Sequence, residues 1–258
     1  MRLKGLFIKS ERKPDFLIAG AQKAGTSALD NYLRRHPDIG MAQVKEVHFF
    51  NNDQWFQTIG HHYLGYESLF DFKSGAKIYG EATPDYIYWE PSCQRIWTYH
   101  PGIKLVFVLR NPIERAFSSW NMEYDRKMET RDFSYCIRHE DQRLKAALPQ
   151  QSHQHAYVDR GFYAGQIRRF MRFFYPEQML FVKYEDFKTN QEIALKKILR
   201  FLGVDPDKMD YSPEIVHQRE KHALLTEPDK AYLRELYEYD IRQVERLLGW
   251  DCRDWLES

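Results

Sequence analysis

The chain has few cysteines and no long hydrophobic run. Its 258 residues include three cysteines, Cys93, Cys136 and Cys252, an odd number at wide spacing. That pattern fits neither a disulfide framework nor a cysteine-rich metal site, and it favours a reducing compartment. No segment approaches the roughly 18 apolar residues of a membrane-spanning helix, and the N-terminus has no secretory pattern. We therefore expect a soluble cytoplasmic protein without a membrane span.

An excess of one charge is also missing. The chain has 38 Lys and Arg residues against 37 Asp and Glu residues, a formal net charge of +1. This balance argues against a broad nucleic-acid-binding surface, so any basic site has to be a local pocket. Repeats and Gly/Ser linkers are missing as well. We predict a single domain over residues 1–258, with residues 1–13 as an N-terminal extension.

Short apolar runs alternate with helical patterns along the chain, which indicates an α/β fold. Residues 16–19 and 105–109 are continuous apolar runs of the kind that parallel sheets bury on both faces. A helix is predicted after Gly25, and another is predicted to begin at Pro112. Further predicted elements are a helix over 167–174, a strand over 179–182, a helix over 190–202 and a C-terminal helix from about 228 to 249.

The segment between the first strand and the first helix is rich in glycine. Gly20, Gly25 and Ser27 match the phosphate-binding pattern G-x-x-x-x-G-K-[ST], but Thr26 replaces the lysine and Lys23 lies inside the loop. Backbone N–H groups at such a turn suit an anion. Because NTPases need that lysine together with Mg²⁺, we expect an anionic nucleotide bound another way, with Lys23 stabilising charge on a breaking bond. A turn that binds nothing is the alternative.

A second polar cluster follows the strand at 105–109. Arg110 leaves this strand, and Ser118 lies two turns into the next helix. Ligands bind at this edge of open parallel sheets, and the arginine fork suits a phosphate. Two such sites imply a ligand with two separated charged groups. The alternative for Arg110 is an ordinary surface ion pair.

Three motifs occur in order along the chain. They are residues 14–20 (PDFLIAG) leading to Lys23-x-Gly25-Thr26-Ser27, then Lys45-Glu46-Val47-His48-Phe49-Phe50, then Leu109-Arg110-Asn111-Pro112-x-x-Arg115-Ala116-x-Ser118. This combination resembles the sulfotransferases that use 3′-phosphoadenosine-5′-phosphosulfate (PAPS). It is most similar to the branch that contains heparan sulfate sulfotransferase domains.

The resemblance implies a P-loop-like, three-layer α/β domain with a central parallel sheet flanked by helices. It also implies PAPS as the donor, adenosine 3′,5′-bisphosphate (PAP) as the product, and no metal. The donor-binding residues implied are Lys23, Gly25, Thr26 and Ser27 at the 5′-phosphosulfate, Arg110 and Ser118 at the 3′-phosphate, and Gln22, Ala24, Tyr163 and Lys221 elsewhere on the donor. Lys221 comes from a late basic segment that also contains Arg219 and His222.

An acceptor alcohol has to lose its proton when its oxygen attacks sulfur. The resemblance assigns this general base to Glu46, with His48 beside it and Lys23 as the third catalytic residue. For Glu46 the alternative is an ion pair with Lys45 or Lys23. For His48 it is a packed or substrate-orienting role.

The sequence departs from the glycosaminoglycan branch in two places. Residues 81–84 are Glu-Ala-Thr-Pro where that branch commonly has Glu-Lys-Thr-Pro, and no cysteine between 136 and 252 can form its late disulfide. We therefore expect a bacterial-type enzyme that acts on a hydroxyl of a sugar, lipid or small molecule, with no nucleic-acid partner. A P-loop kinase or NTPase and a non-catalytic nucleotide-binding module are the alternatives. Candidate acceptor-groove residues are Trp55, His61, His62, Tyr86, Tyr88 and Trp89.

Overall fold

The computed structural model describes residues 12–57, 63–149, 151–213 and 222–257. A sheet of five strands lies at its centre. In chain order the strands are β1 (Phe16–Gly20), β2 (Ile39–Met41), β3 (Ile78–Ala82), β4 (Lys104–Leu109) and β5 (Met179–Lys183). Their spatial order is β2-β3-β1-β4-β5, and every neighbouring pair is parallel. The predicted α/β class with a central parallel sheet is confirmed.

Helices flank this sheet. In chain order they are α1 (Thr26–Arg34), α2 (Tyr63–Glu67), α3 (Glu90–Tyr99), α4 (Pro112–Asp125), α5 (Phe133–Arg138), α6 (Glu140–Lys145), α7 (Tyr163–Met171), α8 (Tyr184–Thr189), α9 (Gln191–Leu202), α10 (Glu227–Leu248) and α11 (Arg253–Glu257). Helix α7 ends at Met171, one turn earlier than predicted. Asn190 precedes α9 as expected, but its side chain caps no N–H group of the described residues. Gly203 and Gly249 end α9 and α10 with positive φ, as predicted.

Strands β1 and β4 are buried almost throughout, since helices or neighbouring segments cover both faces of the sheet. Strand β3 was not predicted because Tyr79, Gly80 and Glu81 interrupt any apolar run. Its fit beside β1 depends on Gly80. A Cβ atom at Gly80 would lie 2.4 Å from the Phe16 ring, so a side chain at this position would force the strands apart.

The carboxyl edge of the sheet brings the three motifs together. All five strands point the same way, so the segments that follow β1 and β4 start at the same edge. Backbone hydrogen bonds extend the pairing there, from Ala21 N–H to the Val108 carbonyl (2.7 Å) and from Glu46 N–H to the Ala82 carbonyl (3.0 Å). The motif around Glu46 is thereby fastened to the end of β3, next to the loop that follows β1.

None of the three cysteines has the properties of a reactive thiol. Cys93, Cys136 and Cys252 are buried free thiols, and burial raises the pKa of each to about 12. Thiols in such surroundings are unreactive. Within the described residues, the helices are all too short or too polar to cross a bilayer.

Candidate functional site

The loop after β1 ends at an open helix terminus. Gly25 precedes α1 with φ of 83°, and within the described chain no side chain caps the helix. The first turn of α1 contains no acidic residue. The first N–H groups of a helix lack intrahelical partners and carry the positive end of its dipole. This terminus therefore has the electrostatics of an anion site.

Lys23 lies in this loop, close to α4. Its Nζ atom is 3.5 Å from the sulfur of Met122. The neighbouring Gln22 accepts a hydrogen bond of 3.3 Å from the Ser119 hydroxyl, also on α4. Ala24 is fully buried, Thr26 is buried at the start of α1, and Ser27 is exposed. The loop is therefore held between the sheet and α4, with the hydroxyl-bearing Ser27 facing outward.

Arg110 connects the loop after β4 to the loop after β1. Its Nη1 donates to the Lys23 carbonyl oxygen (3.3 Å) and its Nη2 to Glu114 (2.7 Å). Its guanidinium also stacks on Tyr184, 5.0 Å from the ring centroid. The same ring packs beside Gly25, where a Cβ atom would lie 2.8 Å from the Tyr184 ring. Tyr184 was not predicted as a site residue. Its position in the sequence, directly after the last strand β5, could have indicated that it lies at the site.

The remaining predicted donor residues occupy different positions. Ser118 is half-buried on α4. Tyr163 is fully buried, and its hydroxyl donates to the Arg110 carbonyl oxygen over 2.9 Å, so it holds the backbone of Arg110 in place. Lys221 lies outside the described residues, as does Arg219. His222 is described, and its N–H donates to the Asn121 side chain on α4 (2.9 Å).

Glu46 and His48 lie next to each other at the end of β3. The Nε2 atom of His48 is 3.6 Å from Oε2 of Glu46, and Lys45 Nζ is 2.6 Å from Oε1. The contact with His48 lowers the pKa of Glu46 most, and Lys45 adds to this against the effect of burial, so that the pKa is about 2. The Glu46 carboxylate raises the pKa of His48 in return. The Glu46 side chain is 40% exposed, so a ligand can reach it.

All three predicted catalytic residues have left-handed backbone conformations. The φ angles are 69° for Lys23, 59° for Glu46 and 52° for His48. Non-glycine residues adopt positive φ rarely, and such strain is concentrated at functional sites, where the surrounding structure imposes it. The three predicted catalytic residues thus share this conformation with Lys127 and His155, which lie outside the motifs.

Behind His48 lies a polar network that the motifs did not reveal. Asp85 forms a buried ion pair with Arg160 and accepts hydrogen bonds from Asn51 (2.8 Å) and His153 (3.1 Å). Burial alone would raise the pKa of Asp85, but the Arg160 charge and the His153 contact outweigh it and hold the pKa well below its usual range. Asn51 in turn contacts His48. Of these residues, only Asn51 could have been suspected from the sequence, because it directly follows the motif at residues 45–50.

The candidate acceptor-groove aromatics divide between core and surface. Tyr86, Tyr88 and Trp89 are buried, so they form part of the core rather than an open groove. Trp55 is 43% exposed and remains available. His61 and His62 lie outside the described residues. In the part of the chain that the structure covers, no group of three or more His, Cys, Asp or Glu side chains is arranged for a metal ion.

The chain matches the family described as "Sulfotransferase domain" over residues 13–236. It is 30% identical over 194 residues to human heparan sulfate glucosamine 3-O-sulfotransferase 6, covering 75% of this chain and 53% of that protein. It is 27% identical over 207 residues to human bifunctional heparan sulfate N-deacetylase/N-sulfotransferase 2, covering 76% and 22%. The chain thus spans about a half or less of these curated relatives. The crystal structure of a sulfotransferase from Alicyclobacillus acidocaldarius superposes with a TM-score of 0.80 at 28% identity, covering 95% of this chain and 99% of that one.

Proposed function

Because this chain belongs to the sulfotransferase domain family, we propose that it transfers the sulfuryl group of PAPS to a hydroxyl of a sugar, lipid or other small molecule. One observation supports the proposal most strongly: Lys23, Arg110 and Glu46 all lie at the same edge of the sheet. Lys23 and Arg110 are in direct contact there, and Glu46 is bonded to the end of the adjacent strand β3.

The donor has two anionic ends, and the site offers two matching positions. The open N-terminus of α1, with Lys23, receives the 5′-phosphosulfate. Arg110 and Ser118 receive the 3′-phosphate, and the planar guanidinium can donate two parallel hydrogen bonds to it. The Arg110 contact with the Lys23 carbonyl and its stacking on Tyr184 connect the two positions. A ligand with a single phosphate would use only half of this site.

The reaction follows from these positions. The acceptor oxygen attacks sulfur in line, and Glu46 takes the hydroxyl proton as the new S–O bond forms. The bond between sulfur and the bridging phosphate oxygen breaks, and its electron pair remains on PAP. Lys23 stabilises the negative charge that grows on this oxygen. With a pKa of about 2, Glu46 is ionised at neutral pH, so its carboxylate oxygens carry no proton.

Mass spectrometry tests this proposal directly. The protein is incubated with PAPS and a panel of saccharides, lipid alcohols and small hydroxyl compounds, and products that have gained one sulfuryl group are sought. We expect at least one sulfated product, with PAP formed in equal amount. Binding of PAP without any sulfated product would favour the non-catalytic module. Mg²⁺-dependent phosphoryl transfer from ATP to the same compounds would favour the kinase.

A further inference from the structure

We propose that Asn51 is a positioning residue for this reaction, because its side-chain amide selects the tautomer of neutral His48 that carries the proton on Nε2 and directs it toward Glu46. The inference rests on the proposed role of Glu46 as the base. It concerns the proton on His48, which can be observed without any substrate.

The amide nitrogen of Asn51 makes two contacts. Nδ2 lies 2.8 Å from Oδ2 of Asp85 and 3.0 Å from Nδ1 of His48. An amide NH₂ group has two hydrogens and no acceptor site, so it can donate one hydrogen bond to each partner. Asn51 is almost fully buried, and its Oδ1 has no partner among the described residues. Among the described residues, the Asn51 amide therefore makes its hydrogen bonds through its nitrogen and not through its oxygen.

Asp85 determines which way this amide points. The Asp85 carboxylate pairs with buried Arg160, and its pKa lies well below the usual range, so its oxygens only accept hydrogen bonds. The reverse orientation of Asn51 would bring Oδ1 against Oδ2 of Asp85, two acceptors in contact in a buried place, which is costly. The nitrogen must face Asp85, and because one nitrogen makes both contacts, it faces His48 as well.

The tautomer of His48 follows. A ring nitrogen that accepts a hydrogen bond carries no proton, and in a neutral imidazole the other nitrogen then carries it. Nδ1 of His48 accepts from Asn51, so Nε2 bears the hydrogen. Nε2 lies 3.6 Å from Oε2 of Glu46, a separation that a small closure on ligand binding can shorten to a hydrogen bond. His48 therefore orients the base instead of competing for the acceptor's proton.

The tautomer assignment applies to the neutral ring of His48. The Glu46 carboxylate and the charge of Asp85 favour the imidazolium form, so neutral His48 is present at a pH above its titration. In the neutral ring a proton on Nδ1 would face an N–H hydrogen of Asn51, so the amide selects the tautomer that carries the proton on Nε2.

Nitrogen NMR on the substrate-free protein tests the tautomer. The ¹⁵N-labelled ring signals of His48 are identified by comparison with a His48→Gln variant, and they are recorded at a pH above the titration of His48. We expect Nε2 to be protonated and Nδ1 to be bare. A neutral His48 with its proton on Nδ1 overturns the proposal, whether or not any acceptor is ever found.

An Asn51→Ala variant provides the second readout, with Asn52→Ala as the matched control. Asn52 lies in the same segment, but its side chain accepts from the Gln54 N–H (3.1 Å). We expect Asn51→Ala to mix the two tautomers and to lower kcat about tenfold, the rate equivalent of one hydrogen bond, with KM for PAPS nearly unchanged. Asn52→Ala should change none of these.

An Asn51→Ala variant that keeps the original tautomer overturns the proposal. If this variant fails to fold, the tautomer measured in the unmutated protein decides the question alone. A protein that has the expected tautomer but sulfates no hydroxyl compound contradicts the proposed function and not the geometry of Asn51.

Discussion

Nη1 of Arg110 donates a 3.3 Å hydrogen bond to the backbone carbonyl oxygen of Lys23, 87 positions earlier in the chain. The contact joins the two candidate anion positions, one after β1 and one after β4. Since Tyr163 holds the carbonyl of Arg110 and Tyr184 supports its guanidinium, the arginine is positioned from three sides before any donor binds.

The guanidinium of Arg110 is paired with Glu114, so this carboxylate would compete with a donor phosphate for the same N–H groups. The two side chains are 2.7 Å apart, and Glu114 is 49% exposed. Exposed ion pairs contribute about 0.2–1 kcal/mol, so we expect Glu114→Gln to tighten PAP binding by up to about fivefold in titration calorimetry. Glu123→Gln removes a pair between Glu123 on the same helix and Arg126 just beyond its end, and it should leave PAP affinity unchanged. Weaker PAP binding by Glu114→Gln would contradict this competition.

Lys23→Ala should lower kcat by roughly 10²–10³-fold, the usual cost of removing one group that stabilises developing charge. The fold should be retained, since the Lys23 side chain is half-buried at the surface of the site. Steady-state transfer assays and thermal unfolding would be measured together. Lys73→Ala, at an exposed turn, serves as the control and should leave both unchanged. Turnover by Lys23→Ala within a few-fold of the unmutated protein would remove the lysine from the mechanism.

Glu46→Gln should lower turnover by roughly 10²–10⁴-fold, because the amide cannot accept the acceptor's proton. PAP affinity should stay the same, since the proposal gives Glu46 no contact with the donor phosphates. The exposed Glu235→Gln on α10 is the matched control. A rate near that of the unmutated protein would transfer the role of base to another group.

His48→Ala should raise the pKa of Glu46 from about 2 toward its ordinary value of 4.5, because the largest cause of the depression is removed. A carboxyl group with a depressed pKa stays ionised, and keeps its contribution to folding, until the pH falls through the folded value. Without His48, protonation begins at higher pH. Carbon NMR of the labelled carboxyl group between pH 3 and 6 measures this shift, and an unchanged titration would show that another group holds Glu46 ionised.

Gly25→Ala should weaken both the fold and PAP binding. Gly25 has φ of 83°, and an added Cβ would lie 2.8 Å from the Tyr184 ring. Positive φ costs a side-chain-bearing residue about 1 kcal/mol or more, and the ring that supports Arg110 would have to move. Gly165→Ala on α7, where no atom lies within 4 Å of the added Cβ, is the control and should be neutral or slightly stabilising. Equal PAP affinity in the two variants would contradict the role given to this loop.

The motifs predicted the residues that meet at the sheet edge, because each motif is local. Lys23 and Gly25 were recognised from the spacing of one loop, and Glu46 and His48 were assigned by the family resemblance that residues 45–50 help to carry. Asp85, Arg160 and His153 could not be found in this way. They come from segments far apart in the chain and act on His48 only through contacts that the folded backbone creates.

The sequence by itself determined the parallel α/β architecture and the identity of the catalytic candidates, since buried strands and helix starts depend on the order of neighbouring residues. Tertiary structure alone decided that Arg110 binds the Lys23 carbonyl, that Tyr184 supports both loops, and that one asparagine nitrogen links Asp85 to His48. These last contacts depend on distances between separate segments and on burial. Both come into existence only when the sheet assembles and excludes water.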